Sequence, residues 1–517
     1  MYKPIKPIST KIALLFMMFL LLPSFYVEAQ EKTEPGAVLL VYDSLAVGTD
    51  NEGNIEALQR LLAGFGVTVT LLARDGYRAG DMQHFNKVIG LVNASDMADS
   101  SQAYTDDLSH FAGDYLHIGG NVPAMVSTKL HLNLIQGGQD SVKLTVRSFT
   151  ESSIRVQDTA YIEQSEGKAY GEITSGSIAV ASPYGVIHEG IAYIPFFRSK
   201  HLSEWAMSDV LRDWLGITAE SQSYVAFKDI YPFSDLELLV KLADRLYDAG
   251  IPFIASVSPV FDNTDYPAMK RYLETLKYVQ ARNGTILVNA PAVASTISEL
   301  DRDLKKQMEL FIDTLADYGI APLGIGAEMY WSYDQLYVDH AMTLFDSALL
   351  FPNEKVMHKA RTNTSYAFPS SLYSVQPDEW ANYEDKGKVI EPLPMDTVIT
   401  IPFFTNEEEL GRGVQALMNS WLIFADYKAR EHKVQTANHV ITSRSGMLQV
   451  NGESLSLISE RTSISSEYVY APEAEQSFVK WFAVQNKLFI GIILIAISAF
   501  TVFFFLGSRM YKRKYYK

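Results

Sequence analysis

Short apolar runs alternate with amphipathic stretches in two successive blocks of this chain, and that order leaves few folds open. In the first block, residues 37–42, 67–72, 88–92 and 115–118 are apolar runs of β character. Between the first two, Ile55, Leu58, Leu61 and Leu62 share one helical face before Gly64 and Gly66. Apolar strands that alternate with helices predict a parallel sheet covered on both faces. Sites in such sheets lie at the carboxyl ends of the strands, which here carry Asp43, Ser44, Asn93, Gly119, Gly120 and Asn121. Residues 142–194 change period. Segments 143–147 and 177–180 alternate as half-buried strands do, which predicts an antiparallel insertion. A helix over 202–215, with Trp205, Leu211 and Trp214 inward, closes this domain.

The second block opens on a strand at 224–227. Ser234 and Glu237 have the spacing of a capping box, in which both side chains satisfy free N–H groups of a first helical turn. Leu236, Leu239, Ala243 and Leu246 then line a helix that stops at Gly250. Strands at 251–257, 285–288, 321–325 and 398–403 alternate with helices at 266–281, 297–318 and 407–425. This order predicts a (β/α) barrel or an open parallel sheet. Asn451-Gly452 between alternating segments signals a type I′ hairpin within a small β-rich stalk. The boundaries are an α/β domain at 30–220, a barrel at 221–433 and the stalk at 434–487.

The two ends read differently from the body. Lys3, Lys6 and Lys11, an apolar run over 12–22 and Ala29 have the layout of a signal peptide spanning 1–29. Residues 488–507 are twenty uncharged, mostly apolar residues, followed by Arg509, Lys512, Arg513, Lys514 and Lys517 in a tail at 508–517. Length and flanking charge predict one transmembrane helix with its tail in the cytoplasm and the body outside. The formal net charge is −16, and basic residues gather at the ends, so the body is acidic. That balance argues against nucleic acid as a partner. There is no cysteine, which excludes disulfides, a thiolate nucleophile and cysteine-bound zinc.

Several segments of the second block, Phe227 to Pro232, Gly250 to Phe253, Leu276 to Gln280, Gly284 to Ile286 and Gly319 to Gly324, carry a resemblance in their order and spacing. Over about 224–433 the chain resembles an uncharacterised bacterial family of the polysaccharide deacetylase-like, or NodB-like, superfamily. The resemblance implies a barrel preceded by a flavodoxin-like or amidotransferase-like domain and followed by a membrane anchor. It also implies an exopolysaccharide as ligand and a membrane glycan synthase complex as partner. Active members hold one divalent ion with an aspartate and two histidines, beside a carboxylate base. Here Asp229 stands at the metal-ligand position, but Lys228 occupies the base position. Asn289 and Val293 replace the two imidazoles, and Glu328 lies in the segment that usually carries an acidic residue and a Pro-His pair. A lone aspartate beside an ammonium group cannot grip a hydrolytic cation. No cofactor, metal or catalytic residue is therefore expected.

Other chemistries have thin support. Asp229, Glu328 and Asp334 fall near strand ends and could meet as a two-carboxylate hydrolase, but with sixty acidic residues such coincidences are common. No Gly-x-Ser-x-Gly elbow, phosphate loop or dinucleotide fingerprint occurs. Tyr330, Trp331 and Tyr333 follow a strand and either stack on sugar faces or fill core. The expected function is a membrane-anchored, catalytically inactive deacetylase-like protein that binds an envelope glycan. Its candidate contacts are Asp229, Asn289, Glu328, Tyr330, Trp331 and Tyr333. An active deacetylase or carboxylate hydrolase is the alternative, and a structural envelope partner is a third.

Overall fold

The computed structural model describes residues 36–94, 101–262, 264–291, 301–355, 362–377 and 393–457, with Leu506 and Arg509 besides. In the first domain β1 (Val38–Tyr42), β2 (Val69–Ala73), β3 (Lys87–Leu91) and β4 (Asp114–Ile118) are the expected parallel strands. Next come β5 (Asn133–Gln136), β6 (Asp140–Val146), β7 (Phe149–Val156), β8 (Ala160–Gln164), β9 (Lys168–Tyr170), β10 (Glu172–Thr174), β11 (Gly185–His188) and β12 (Ile191–Ile194). All five residues of β1 are buried because both faces of the sheet are covered. Val38, Leu40 and Tyr42 pack toward the helices Asn54–Gly64 and Ser203–Trp214. Leu39 and Val41 pack on the other side with Tyr104 and Leu108 of the helix Gln102–His110.

The parallel strands run in the order β2-β1-β3-β4-β12, the order of flavodoxin-like doubly wound sheets. The fifth strand, β12, comes from the stretch expected to be a pure insertion. It is apolar and fully buried, so it pairs in parallel with β4. β11 and β9 then extend the sheet antiparallel, while β10-β6-β7 and β5-β8 form smaller sheets. Segment 177–180 forms no strand, and Val180 is 77% exposed.

The second block closes a barrel of seven parallel strands. They are β13 (Ser223–Ile230), β14 (Phe253–Val257), β15 (Gly284–Asn289), β16 (Pro322–Glu328), β17 (Ser347–Phe351), β19 (Ser370–Val375) and β20 (Thr397–Pro402). Ala226, Ile254, Leu287, Leu349, Leu372 and Val398 share one interior cluster closed by Tyr427. Their strand neighbours Phe227, Phe253, Ala255, Ile286 and Val288 pack outward with the helices Leu236–Asp248, Pro267–Ala281 and Asp301–Asp317. The capping box is displaced by one residue. Asp235 accepts from the Leu238 N–H at 3.0 Å, because the Ser234 hydroxyl already accepts from the Tyr231 N–H at 2.9 Å. The helix expected over 407–425 ends at Met418, and the following segment runs back to pair Phe424 with Ser223 of β13.

Two features join the blocks. β18 (Thr362–Thr364), between β17 and β19 in the chain, leaves the barrel and pairs antiparallel with β2. Tyr373, Val375, Met395 and Ile399 of the β19–β20 side belong to the core of the first domain. The first domain thus covers a barrel face that a helix would otherwise cover. The described part of the expected β-rich stalk, residues 434–457, likewise packs on the body. β21 (His432–Gln435), β22 (Val440–Arg444), β23 (Met447–Val450) and β24 (Glu453–Ser454) form an antiparallel sheet. Its Val434, Ile441 and Leu448 are buried in the outer barrel core. Asn451 and Gly452 both have positive φ, 51° and 83°, as a type I′ turn demands.

One expectation is corrected. Among the described residues, no helix is long and apolar enough to cross a membrane. The longest, Asp301–Asp317, has 17 residues and is studded with charge, short of the roughly twenty apolar residues a span needs. Segments 1–29 and 488–517, on which the signal peptide, membrane helix and basic tail were placed, lie outside the described residues except Leu506 and Arg509.

Candidate binding cleft at the barrel mouth

A cavity of about 1030 Å³ opens at the carboxyl ends of the barrel strands. Its floor takes Lys228 and Asp229 from β13, Asn289 from β15, Gly326 and Glu328 from β16 and Phe351 from β17. One wall belongs to the first domain: Glu56 and Arg60 of the helix Asn54–Gly64, with Lys200 and Glu204.

Lys228 and Asp229 both line the cavity although consecutive strand residues ordinarily face opposite ways. A bulge is the cause. The pairing of β13 with β14 slips between Phe227 and Ile230, and Asp229 takes φ +63°. Bulges re-aim side chains beside sites, and Asp tolerates the left-handed conformation better than most residues. Lys228 Nζ lies 3.7 Å from Asp229 Oδ2 and 5.6 Å from the Phe351 ring centroid. The ammonium group therefore sits on the cavity floor beside the carboxylate.

Asn289 is held from below by the buried Ser256, whose hydroxyl donates to Asn289 Oδ1. Gly326 makes room for that pair. A Cβ there would lie 2.6 Å from Ser256 Oγ and 2.7 Å from Asn289 Oδ1. Glu328 accepts from the Glu354 N–H at 3.2 Å. Burial pushes its carboxyl above the usual range, and the Glu354 N–H and Lys228 counter this in part. The charges of Glu354 and Glu56 act in the same direction as burial.

These residues do not fit a divalent ion. The aspartate has an ammonium neighbour, the Asn289 carbonyl oxygen is already engaged, and among the described residues no three His, Asp or Glu side chains are placed to hold a metal. Val293 lies outside the described residues.

The expected aromatic contacts divide. Tyr330 lines the cavity half-buried; its N–H donates to Asn353 Oδ1 at 3.0 Å, and burial pushes its hydroxyl up to about 12. Trp331 backs the cavity but is 2% exposed and stacked on Tyr337 at 4.2 Å, so it is core and has no face open to a sugar. Tyr333 is no part of the cavity wall and packs against the outer barrel core. Asp334 is spent as a helix cap, accepting from the Leu336 N–H at 3.1 Å.

Sequence reasoning passed over the aromatics that are exposed. Tyr231 and Phe233 line the cavity lip, 36% and 82% exposed, with ring planes within 10° and centroids 4.9 Å apart. The available signal was two aromatic residues flanking Pro232 just after the first barrel strand. Glu56, Arg60 and Glu204 could not be placed there by any local pattern.

No protein-family model matches the chain. Over 323 residues it is 23% identical to an uncharacterized protein, YdaL, of Bacillus subtilis (strain 168). The match covers 56% of this chain and 51% of that protein, so the chain spans about half the length of the curated relative it matches.

Proposed function

We propose that this protein is an extracytoplasmic glycan-binding protein on a deacetylase-like barrel, holding a polysaccharide segment at the barrel mouth without metal-dependent deacetylation. The observation that carries this reading is the exposed, parallel-stacked Tyr231–Phe233 pair at the lip of a cavity floored by Asp229, Asn289 and Glu328. Adjoining exposed apolar surface marks interaction sites, and Phe233, 82% exposed, stands stacked against Tyr231. Flat rings suit the apolar faces of sugars, while carboxylates and amides below them accept hydroxyl groups. The cavity, about 1030 Å³, is at the top of the roughly 300–1,000 Å³ range of small-molecule clefts, which favours several linked sugars over one. The resemblance to polysaccharide deacetylases supports the ligand class, and a role beside an exopolysaccharide synthesis or export machinery follows from the same likeness.

The test is calorimetric titration of the protein with chitin-type oligosaccharides, acetylated and deacetylated, alongside an acetate-release assay. Saturable binding that Phe233→Ala weakens about tenfold, with an unchanged melting temperature and no acetate released, is the expected result. Acetate release that depends on one bound metal per chain would overturn it. One observation favours a second reading: the raised protonation range of Glu328 suits a general acid. Chain cleavage abolished by Glu328→Gln would put a carboxylate hydrolase in place of the binder.

A further inference from the structure

A second crevice lies in the first domain, its Asn51, Asn54 and Arg198 next in the chain to Glu52, Gly53 and Ser199 of the barrel-mouth cavity. Asn54, at the start of its helix, is 1% exposed and ties down the segment after β12. Its Nδ2 donates to the Phe197 carbonyl at 2.8 Å, and its Oδ1 accepts from the Ser199 N–H at 3.0 Å. Between those two contacts stands Arg198, 7% exposed. Its Nε donates to the Arg155 carbonyl at 3.1 Å and its Nη1 to Asn51 Oδ1 at 2.5 Å. Two of its five N–H groups are thus used by neutral acceptors, and among the described residues Arg198 forms no ion pair. A buried guanidinium usually meets a carboxylate, because an uncompensated buried cation is strongly unfavourable. The charge of Asp50 favours the cation, and that of Arg155 opposes it.

Arg198 lines a crevice of about 40 Å³ at the carboxyl ends of β3 and β4, shared with Asn51, Asn93, Gly120, Gln157 and Thr159. The crevice lies beside the reversal of winding between β1 and β3, where doubly wound sheets bind their ligands. Among the described residues, the Gly120 N–H has no acceptor. The crevice holds a carboxylate-sized group and little more. It adjoins a wider depression of about 570 Å³ through Gly120 and Asp158, with space for the rest of a small molecule.

We propose that this crevice binds a small monocarboxylate, its carboxylate paired with the Arg198 guanidinium and its body in the adjoining depression. A planar guanidinium with unused donors matches the bidentate geometry of a carboxylate, and the small crevice suits a group of that size. Exposed Asp158 at the shared rim selects against polyanions.

The experiment titrates the full-length protein with sodium acetate against sodium chloride at constant ionic strength, following the melting temperature and the binding heat. Saturable stabilisation by acetate above that by chloride is expected. Arg198→Gln should abolish it, and Lys241→Ala, on a remote exposed surface, should leave it intact. Should Arg198→Gln fail to fold, Gln157→Glu decides. This change puts a carboxylate at an exposed position on the crevice and should weaken acetate at least fivefold while the melting temperature in chloride stays the same. An acetate response no larger than that of chloride, or one that survives in whichever of the two variants is folded, overturns the proposal.

Discussion

Arg60→Met tests whether the first domain is locked over the barrel mouth. Arg60 and Glu204 are 5% and 7% exposed, at the seam between the two blocks. Arg60 Nη1 donates to the Ser374 carbonyl and Nη2 to the Tyr373 hydroxyl, both at 2.7 Å, and the guanidinium lies 3.9 Å over the Tyr373 ring. The Tyr373 hydroxyl donates in turn to Glu204, whose Oε2 is 3.6 Å from Arg60 Nη2. Methionine keeps most of the apolar packing and removes the cation. Glu204 is then a buried carboxylate without its counter-charge, a change that costs roughly 3–5 kcal/mol. Glu204→Gln leaves Arg60 a buried cation without its counter-charge, so a comparable loss of roughly 3–5 kcal/mol is expected. The double variant buries no charge at this point, and its cost should fall short of the sum by at least ~1.5 kcal/mol. Urea unfolding followed by tryptophan fluorescence and near-ultraviolet circular dichroism measures all three, with coincident transitions as the two-state check. A loss below ~1 kcal/mol for Arg60→Met, or single effects that add within ~0.5 kcal/mol, would refute the reasoning.

Gly326→Ala should cost about 1–3 kcal/mol by overpacking Ser256 and Asn289, measurable by the same unfolding curves, and should weaken glycan binding because Asn289 is displaced. Asp229→Gly should unfold within about 1 kcal/mol of the parent, since glycine takes φ +63° freely, whereas Asp229→Val should lose more than Asp229→Ala. Acidification should destabilise the protein between about pH 6.5 and 4. Burial holds His117 and His432 at about 4, each with Nε2 donating to a carbonyl, so the unfolded chain takes up protons that the native state refuses. Stability is full above the unfolded value and falls with pH by up to roughly 3 kcal/mol per histidine. Melting temperatures across that window check it, and a flat profile in His117→Gln/His432→Gln would identify the source.

Much of the scaffold was legible in the sequence, and little of the cleft was. The alternation of buried strands with one-faced helices reflects constraints on neighbouring residues, and so it survives in a one-dimensional pattern. The misreadings came where a local signal met a competitor. Ser234 has the capping spacing but closes the Tyr231–Ser234 turn, so Asp235 caps the helix. Residues 185–194 carry the antiparallel pattern at one end, yet β12 is drawn into the parallel sheet because its four buried residues fit only there. Trp331 and Phe233 had equal claims as sugar platforms from residue type alone. Burial leaves only Phe233 open to solvent, and burial depends on what packs from elsewhere in the chain.

By itself, the sequence determined two runs of βα units and an acidic, cysteine-free body, and it left a closed barrel and an open parallel sheet both possible for the second run. Residue type and short-range spacing settle such things, since chemistry and helical or strand period act locally. The tertiary structure alone decided that β18 crosses to the first sheet, that Glu56, Arg60 and Glu204 wall the barrel mouth, and that Arg198 is buried with no ion pair among the described residues. Each of these joins residues far apart in the chain. Their meeting is set by the packing of whole elements against one another, which leaves no periodic mark on either partner.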